Sequence, residues 1–402
     1  MKKLGNVSTN ILAMAKTLKI FLLFIVFLVY GLWSTVCGLR SVAYADVLSS
    51  NNVRVAIIQD ASSLRLKTVG ACEVVDFKSN KILYRAKKLN TTVTAYKNSI
   101  LIGNSAVASA NIIIKAGNNS EITIDDRKFR GNIQLVRQPN MRLLVINLIG
   151  LEDYVQGILY HEVSHYWPIE VLKAQAIVCR SYALYQKEQM IGKDYDLTSD
   201  TYSQVYGGKT SERYRINKAV DETKGVILKY NSKILPAFFH AACGGHTEDG
   251  AVLWNINIGP LKGVVCKYCQ GSPHYNWHYV ISLKELQAKL TEGGYKISVI
   301  KNIAILDRNA SARVSNLKIT GASKDLNISA KDFRNIVGSN VIRSTNFNVA
   351  IFADDVVFEG LGWGHGVGLC QWGAYFMAKT GFAYQDILKV YYPGAQLTSL
   401  NN

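Results

Sequence analysis

The chain is short of acid and of proline. It has 29 Asp+Glu against 46 Lys+Arg, a formal charge of +17, and only 6 prolines against 31 glycines in 402 residues. Charged residues make up 19% and hydrophobic ones 49%. This balance excludes a disordered chain, and the missing proline excludes a collagen-like one. There is no internal repeat and no low-complexity tract. The glycine-rich stretch 360–373 lacks the Gly-Lys-Ser/Thr of a phosphate loop, and the first 150 residues hold no nucleotide-binding glycine pattern. What remains is a basic chain with 22 tyrosines and 6 tryptophans. That combination suits an extended anionic partner: nucleic acid, a membrane surface or an acidic polysaccharide. The length fits two or so domains.

The first 45 residues read as a signal peptide. Lys2, Lys3, Lys16 and Lys19 precede an apolar run, Ile20–Trp33, with no acid before Asp46. The run is too short to span a bilayer comfortably. Ala43-Tyr44-Ala45 forms an A-x-A site, so cleavage is expected after Ala45. The alternative is an uncleaved anchor continuing through Leu39. Cys37 lacks the small-residue context of a lipoprotein signal. Elsewhere no stretch reaches the length of a membrane span, so none is expected after cleavage. Loss of residues 1–45 removes five basic residues and no acids, leaving +12. Export to the periplasm or wall space disfavours nucleic acid as the partner.

The chain is expected to be α+β: a β-rich module over 46–145 and a mixed helix/strand core over 146–402. Short β-branched or alternating runs occur at Val53–Gln59, Ile82–Arg85, Thr92–Tyr96, Asn111–Ile114, Glu121–Ile124, Gln134–Arg137 and Leu143–Leu148. The period then changes. Leu151, Tyr154, Val155, Ile158 and Glu162 share a helical stripe, broken by Tyr166-Trp167-Pro168. Pro168 suits the start of a second helix, with Ile169, Leu172, Ala176, Cys179 and Ala183 on its buried face. Lys173 and Arg180 share another face. Strands are expected at Gly225–Tyr230 and Leu235–His240, and helices over 283–290, Lys331–Val337 and Cys370–Lys379.

Four groups could carry chemistry. Glu162 ends an apolar stripe just before a helix break, where its pKa would rise toward that of a general acid; periodicity alone favours a plain surface carboxylate. His161-Glu162-Val163-Ser164-His165 matches the H-E-x-x-H of zinc proteases, but the helix breaks almost at once, and nothing singles out Glu188 as the third ligand it would need. His240, Cys243, His246 and Cys266-Lys267-Tyr268-Cys269 have zinc-ligand spacing. The set Cys243, His246, Cys266 and Cys269, with His240 as substitute, would be a structural site. A disulfide among the three cysteines is the alternative, and Cys72, Cys179 and Cys370 are left unassigned. Finally, alternating glycines over 360–373 present Trp363, His365, Gln371 and Trp372 from a loop leading into a helix, which fits a sugar-binding cleft; a tightly packed loop is the alternative.

Several of these motifs together resemble one family. Leu151-Glu-Asp-Tyr-Val-Gln-Gly, Glu162, Trp167-Pro168, and Leu172-Lys-Ala-Gln-Ala through Arg180-Ser-Tyr-Ala-Leu are followed by Phe239-His-Ala-Ala-Cys-Gly-Gly-His-Thr-Glu. Arg343-Ser-Thr-Asn-Phe and Gly362-Trp-Gly-His-Gly-Val-Gly-Leu-Cys-Gln-Trp-Gly-Ala complete the series. In this order, over residues 147–395, they are similar to the sporulation stage II protein D family with its LytB relatives. The resemblance implies a lytic transglycosylase acting on peptide-stripped peptidoglycan strands. It places the catalytic acid at Glu162, motif cations at Lys173 and Arg180, and zinc near His240–His246. Lys173 and Arg180 would pair with lactyl carboxylates, and Trp363 and Trp372 would stack on sugars. His161 stands where the family has a small residue, and Val163-Ser164 where it has Met-Pro, so the protease motif reads as drift. Zinc is not needed for the implied chemistry. A LytB-like, non-catalytic wall-binding enhancer of an amidase is the alternative, and a cell-wall amidase is then a partner.

Overall fold

The computed structural model describes residues 51–117 and 121–400. The expected leader, Cys37 and the Ala43-Tyr44-Ala45 site lie outside the described residues.

The fold is α+β, with its strands concentrated toward the N-terminal end. A seven-stranded sheet runs in the order Leu197–Thr198, Asn52–Ala61, Leu143–Gly150, Asn132–Arg137, Asn111–Ala116, Cys72–Asp76, Ile82–Ala86. All neighbours are antiparallel except the first pair. A six-stranded antiparallel sheet is built around Ser63–Thr68 and Asn90–Tyr96. In Ser63–Thr68 the pleat shows directly: Leu64 and Leu66 are buried while Ser63 and Arg65 face solvent, as one-sided burial of a strand requires.

Two helices follow. Helix α1 (Leu151–Glu162) and helix α2 (Ile169–Gln189) are separated by a tight turn ending at Pro168. Their apolar stripes join the core of both sheets. Tyr154, Ile158, Leu172 and Cys179 pack with Val53, Leu66, Ile112 and Leu135 in one continuous cluster. The other flank of α2, Val171, Ala174, Ile177 and Val178, enters a second core with Leu369, Met377 and Leu388. An interior helix loses its amphipathic contrast when it is buried all round. Even Arg180 of α2 is at 0% exposure, its guanidinium paired with Glu152.

Residues 276–361 form a third core around Trp277, Leu286, Leu317, Phe333 and Phe358. It contains two three-stranded sheets and the helices Leu283–Glu292 and Ala330–Val337. Each helix is started by a serine, Ser282 or Ser329, whose side chain accepts the N–H three residues on. The expectation of a strand over Leu235–His240 holds only for Phe239–His240. Pro236 has no N–H to give to a ladder. That short strand pairs in parallel with Leu369–Cys370, which brings the two glycine-containing motifs side by side.

Candidate active site and metal centre

Glu162 is the last residue of α1 and opens into a cleft of about 560 Å³. The other lining residues come from α2 (Tyr182, Tyr185, Gln186, Gln189), from the loop 201–205, from Phe238 and Phe239, and from Trp254 and His365. Glu162 is half-buried. Desolvation pushes its pKa from 4.5 up to about 7, against a weak opposing hydrogen bond from the Val205 N–H. Among the described residues, Glu162 is the only carboxylate on the cleft wall.

The backbone under Glu162 is held from the glycine motif. Gln371, the first residue of the helix Gln371–Lys379, donates to the Glu162 carbonyl at 3.1 Å. Its side chain also reaches Gln175 at 3.5 Å. Gln371 is therefore a positioning residue and does not line the cleft. His365 does line it. Its ring accepts from the Val367 N–H at 3.1 Å and has a backbone bond with Phe239. Burial lowers its pKa to about 4, so it is a neutral, fixed ring. The alternating glycines make this close approach possible. A Cβ on Gly366 (φ +91°) would stand 2.5 Å from the Arg313 guanidinium, and one on Gly364 (φ +112°) 2.8 Å from His240.

Other sequence candidates are placed differently. Arg180 is fully buried and bonds Glu152 in α1 through Nε (2.9 Å) and Nη2 (2.7 Å), with Nη1 on the Val226 carbonyl. Lys173 is shared between Glu170 (3.0 Å) and Glu222 (2.9 Å). Both cations are spent inside the protein, since a buried or half-buried charge needs a partner, and neither reaches the cleft. Trp363 and Trp372 also lie off the cleft wall. Trp372 packs on Trp167 and Tyr375, and Trp363 on His274 and Arg343. The H-E-x-x-H pair is separated. With α1 ending at Glu162, His165 stacks on Tyr166, while His161 Nε2 meets Ser211 Oγ at 2.6 Å.

The cysteine group is corrected in membership. Cys243, Cys266, Cys269 and Cys370 are buried, with their sulfurs within 4.8 Å of one another. His246 turns its Nδ1 to the Thr247 carbonyl (2.6 Å) and His240 its Nδ1 to that of Val367 (3.1 Å). The fourth sulfur escapes sequence spacing because Cys370 lies 101 residues or more from its partners. Only the parallel pairing of Phe239–His240 with Leu369–Cys370 delivers it. All six described cysteines are free thiols, so the disulfide alternative is not formed. Four soft sulfurs at this spacing could hold a metal ion, and they fit a tetrahedral one. Cys370 Sγ accepts the N–H groups of Cys243 (3.2 Å) and Gly373 (3.3 Å), and Cys266 Sγ meets Tyr391 Oη at 3.2 Å. Such bonds stabilise thiolate ligands. Beside them, Arg313 from the third core is wholly buried and donates to the Cys243 carbonyl at 2.8 Å.

Comparison with known proteins agrees with this architecture. A family model described as "Stage II sporulation protein" matches residues 140–230, which hold α1, α2 and Glu162. A domain of unknown function matches residues 267–368, which enclose the third core. An uncharacterized protein of Brachyspira hyodysenteriae is 30% identical over 356 residues, 88% of this chain and 94% of that one. The Stage II sporulation protein D of Bacillus subtilis is 31% identical over 62% of this chain and 75% of its own length. The Amidase enhancer of Bacillus subtilis is 30% identical over 61% of this chain, which spans 40% of that protein. The chain belongs to the stage II sporulation protein D family. Among the described residues, no helix is long and apolar enough to cross a membrane.

Proposed function

We propose that the chain is an exported peptidoglycan lytic transglycosylase with Glu162 as its general acid and base. The coarser part of this reading, a cell-wall-related function, follows from the family. The observation that carries the finer part is a single carboxylate, held near pKa 7, on the wall of a cleft without a second acid. A glycoside hydrolase ordinarily needs two carboxylates, whereas an intramolecular transfer needs one. The Glu162 carboxyl gives its proton to the glycosidic oxygen between N-acetylmuramic acid and N-acetylglucosamine, and the C1–O bond breaks. The resulting carboxylate takes the proton of the muramic C6 hydroxyl, whose oxygen bonds to C1. The products are a free N-acetylglucosamine end and a 1,6-anhydro-muramic end, and Glu162 is reprotonated. Gln371 keeps the carboxyl in place through the backbone. The β-strands from Asn52 to Arg137 serve as a support, in keeping with the core they share with α1 and α2.

Zinc is the metal we assign to Cys243, Cys266, Cys269 and Cys370. Four protein ligands leave no open position, so the ion would be structural, pinning the start of the helix that carries Gln371.

The test is digestion of peptide-stripped strands, with mass spectrometry for anhydro-muramic ends. Wild type should produce them and Glu162→Gln should not. No ends from wild type, or undiminished ends from the variant, would overturn the reading. A second reading, enhancement of a wall amidase without catalysis, is supported by the relative named for it. It predicts faster amidase action on sacculi and no anhydro ends.

A further inference from the structure

The positive charge of the protein is not spread evenly. Residues 52–150 carry 15 Lys+Arg against 6 Asp+Glu, whereas residues 151–402 carry 26 against 22. The excess sits on the β-rich part and not around Glu162, whose cleft wall has no lysine or arginine among the described residues. It gathers at one border of the seven-stranded sheet. Strand Ile82–Ala86 is the last in the order, and pairs with Cys72–Asp76 on one side. Lys78 and Lys81 lie in the turn before it, Arg85 within it, and Lys87 and Lys88 directly after it, all exposed. Lys115 stands two strands in, in register with Glu73 and Arg85. These six cations have two acids beside them. Glu73 is taken by Arg85 at 2.8 Å, and Asp76 is bonded by Ser79 and Ser109. Lys115 donates to the neutral Asn80 at 3.0 Å. Among the described residues, Arg85 is the one cation of the border in an ion pair. At strand rise, Lys81 to Lys87 covers about 20 Å. A row of that length matches a linear polyanion, and its exposed, unpaired charges are free to meet one. The border is also remote from the cleft. It closes the sheet opposite Leu197–Thr198, the strand that leads into the cleft loop 201–205. Six strand spacings separate the two edges, about 29 Å.

We propose that this basic border is a second wall-binding surface, separate from the cleft, which takes the carboxylates of a glycan strand on Lys81, Arg85, Lys87 and Lys88 and tethers the protein to the wall. This rests on the wall-related reading for the class of partner, but binding is measured without catalysis. The full chain carrying Glu162→Gln is titrated calorimetrically with peptide-stripped strands at low and at high salt. Adding Lys81→Gln, Lys87→Gln and Lys88→Gln together should weaken binding about tenfold at low salt, which corresponds to about 1.4 kcal/mol. At high salt the two proteins should agree within about twofold, because exposed charges are then screened. A control removes the same charge elsewhere: Lys284→Gln, Lys296→Gln and Lys324→Gln, all exposed on the third core. It should alter binding by no more than about twofold. All six lysines are in solvent, so the urea midpoint should stay unchanged in both variants.

Three results would overturn the proposal. Equal losses from the two lysine sets would make net charge the cause. No loss from the border set would leave its lysines the plain task of keeping an edge strand from pairing. Border-dependent binding of inorganic polyphosphate or of anionic phospholipid vesicles, with strands indifferent to the border, would assign the surface to another partner. The two readings fail separately. Border-dependent strand binding with no anhydro ends from wild type keeps this surface and removes the transglycosylase. Anhydro ends from wild type, with strand binding unaltered by the border set, keep Glu162 as the acid and remove the surface.

Discussion

Replacing Glu162 by glutamine should make the protein more stable above neutral pH and leave its stability almost unchanged in acid. In the unfolded chain this carboxyl titrates near 4.5, and in the cleft at about 7. Below pH 4.5 both states hold the proton and no difference arises. Between 4.5 and 7 the unfolded state loses it first, so the wild type loses stability as pH rises. Above 7 both are ionised, and the full cost of a desolvated carboxylate is present. The gap of about 2.5 pH units corresponds to ~3.4 kcal/mol, or about 2–3 kcal/mol once screening at the open side of the cleft is allowed for. Glutamine keeps the shape and still accepts from the Val205 N–H without that cost. Urea unfolding of the two proteins at pH 5 and pH 8 measures the difference, and titrations elsewhere in the chain cancel. An equal pH dependence in the two proteins would refute the desolvated Glu162, and so would a less stable variant at pH 8. Cleavage should likewise decline as pH rises through about 7, when the acid form is depleted.

Two further outcomes follow from the placement of other residues. Arg180→Ala should cost about 3–5 kcal/mol in urea unfolding, because it strips a buried guanidinium from Glu152 and two carbonyls; raised KM with unchanged stability would return Arg180 to substrate binding. Cys370→Ser should abolish stoichiometric zinc, measured by atomic emission on the purified protein, while His246→Ala should retain it. The reverse pattern would restore the ligand set suggested by sequence spacing.

Much of the chain is legible in the order of its residues. The stripe Leu151, Tyr154, Val155, Ile158 is local, so it marks α1 and the end at Glu162 without outside help. The serines before Leu283 and Ala330 mark helix starts for the same reason. The separate core of residues 276–361 is not legible, since alternating strands look alike whichever core they serve. The internal partners of Lys173 and Arg180, Glu170, Glu222 and Glu152, are not legible in sequence, because a charge there carries no record of its partner. Glu152 lies 28 residues from Arg180 and reaches it only when α1 packs against α2.

The sequence alone determined the α+β class, the family and the acid worth attention, because each depends on residues close together along the chain. Tertiary structure decided what that acid can do. It placed Glu162 on a wall with no second carboxylate or cation among the described residues, put Gln371 under its backbone, and added Cys370 to three distant thiols. Those are facts of packing between segments up to 209 residues apart. Charge, desolvation and ligand geometry act through space, and the order of residues does not state that distance.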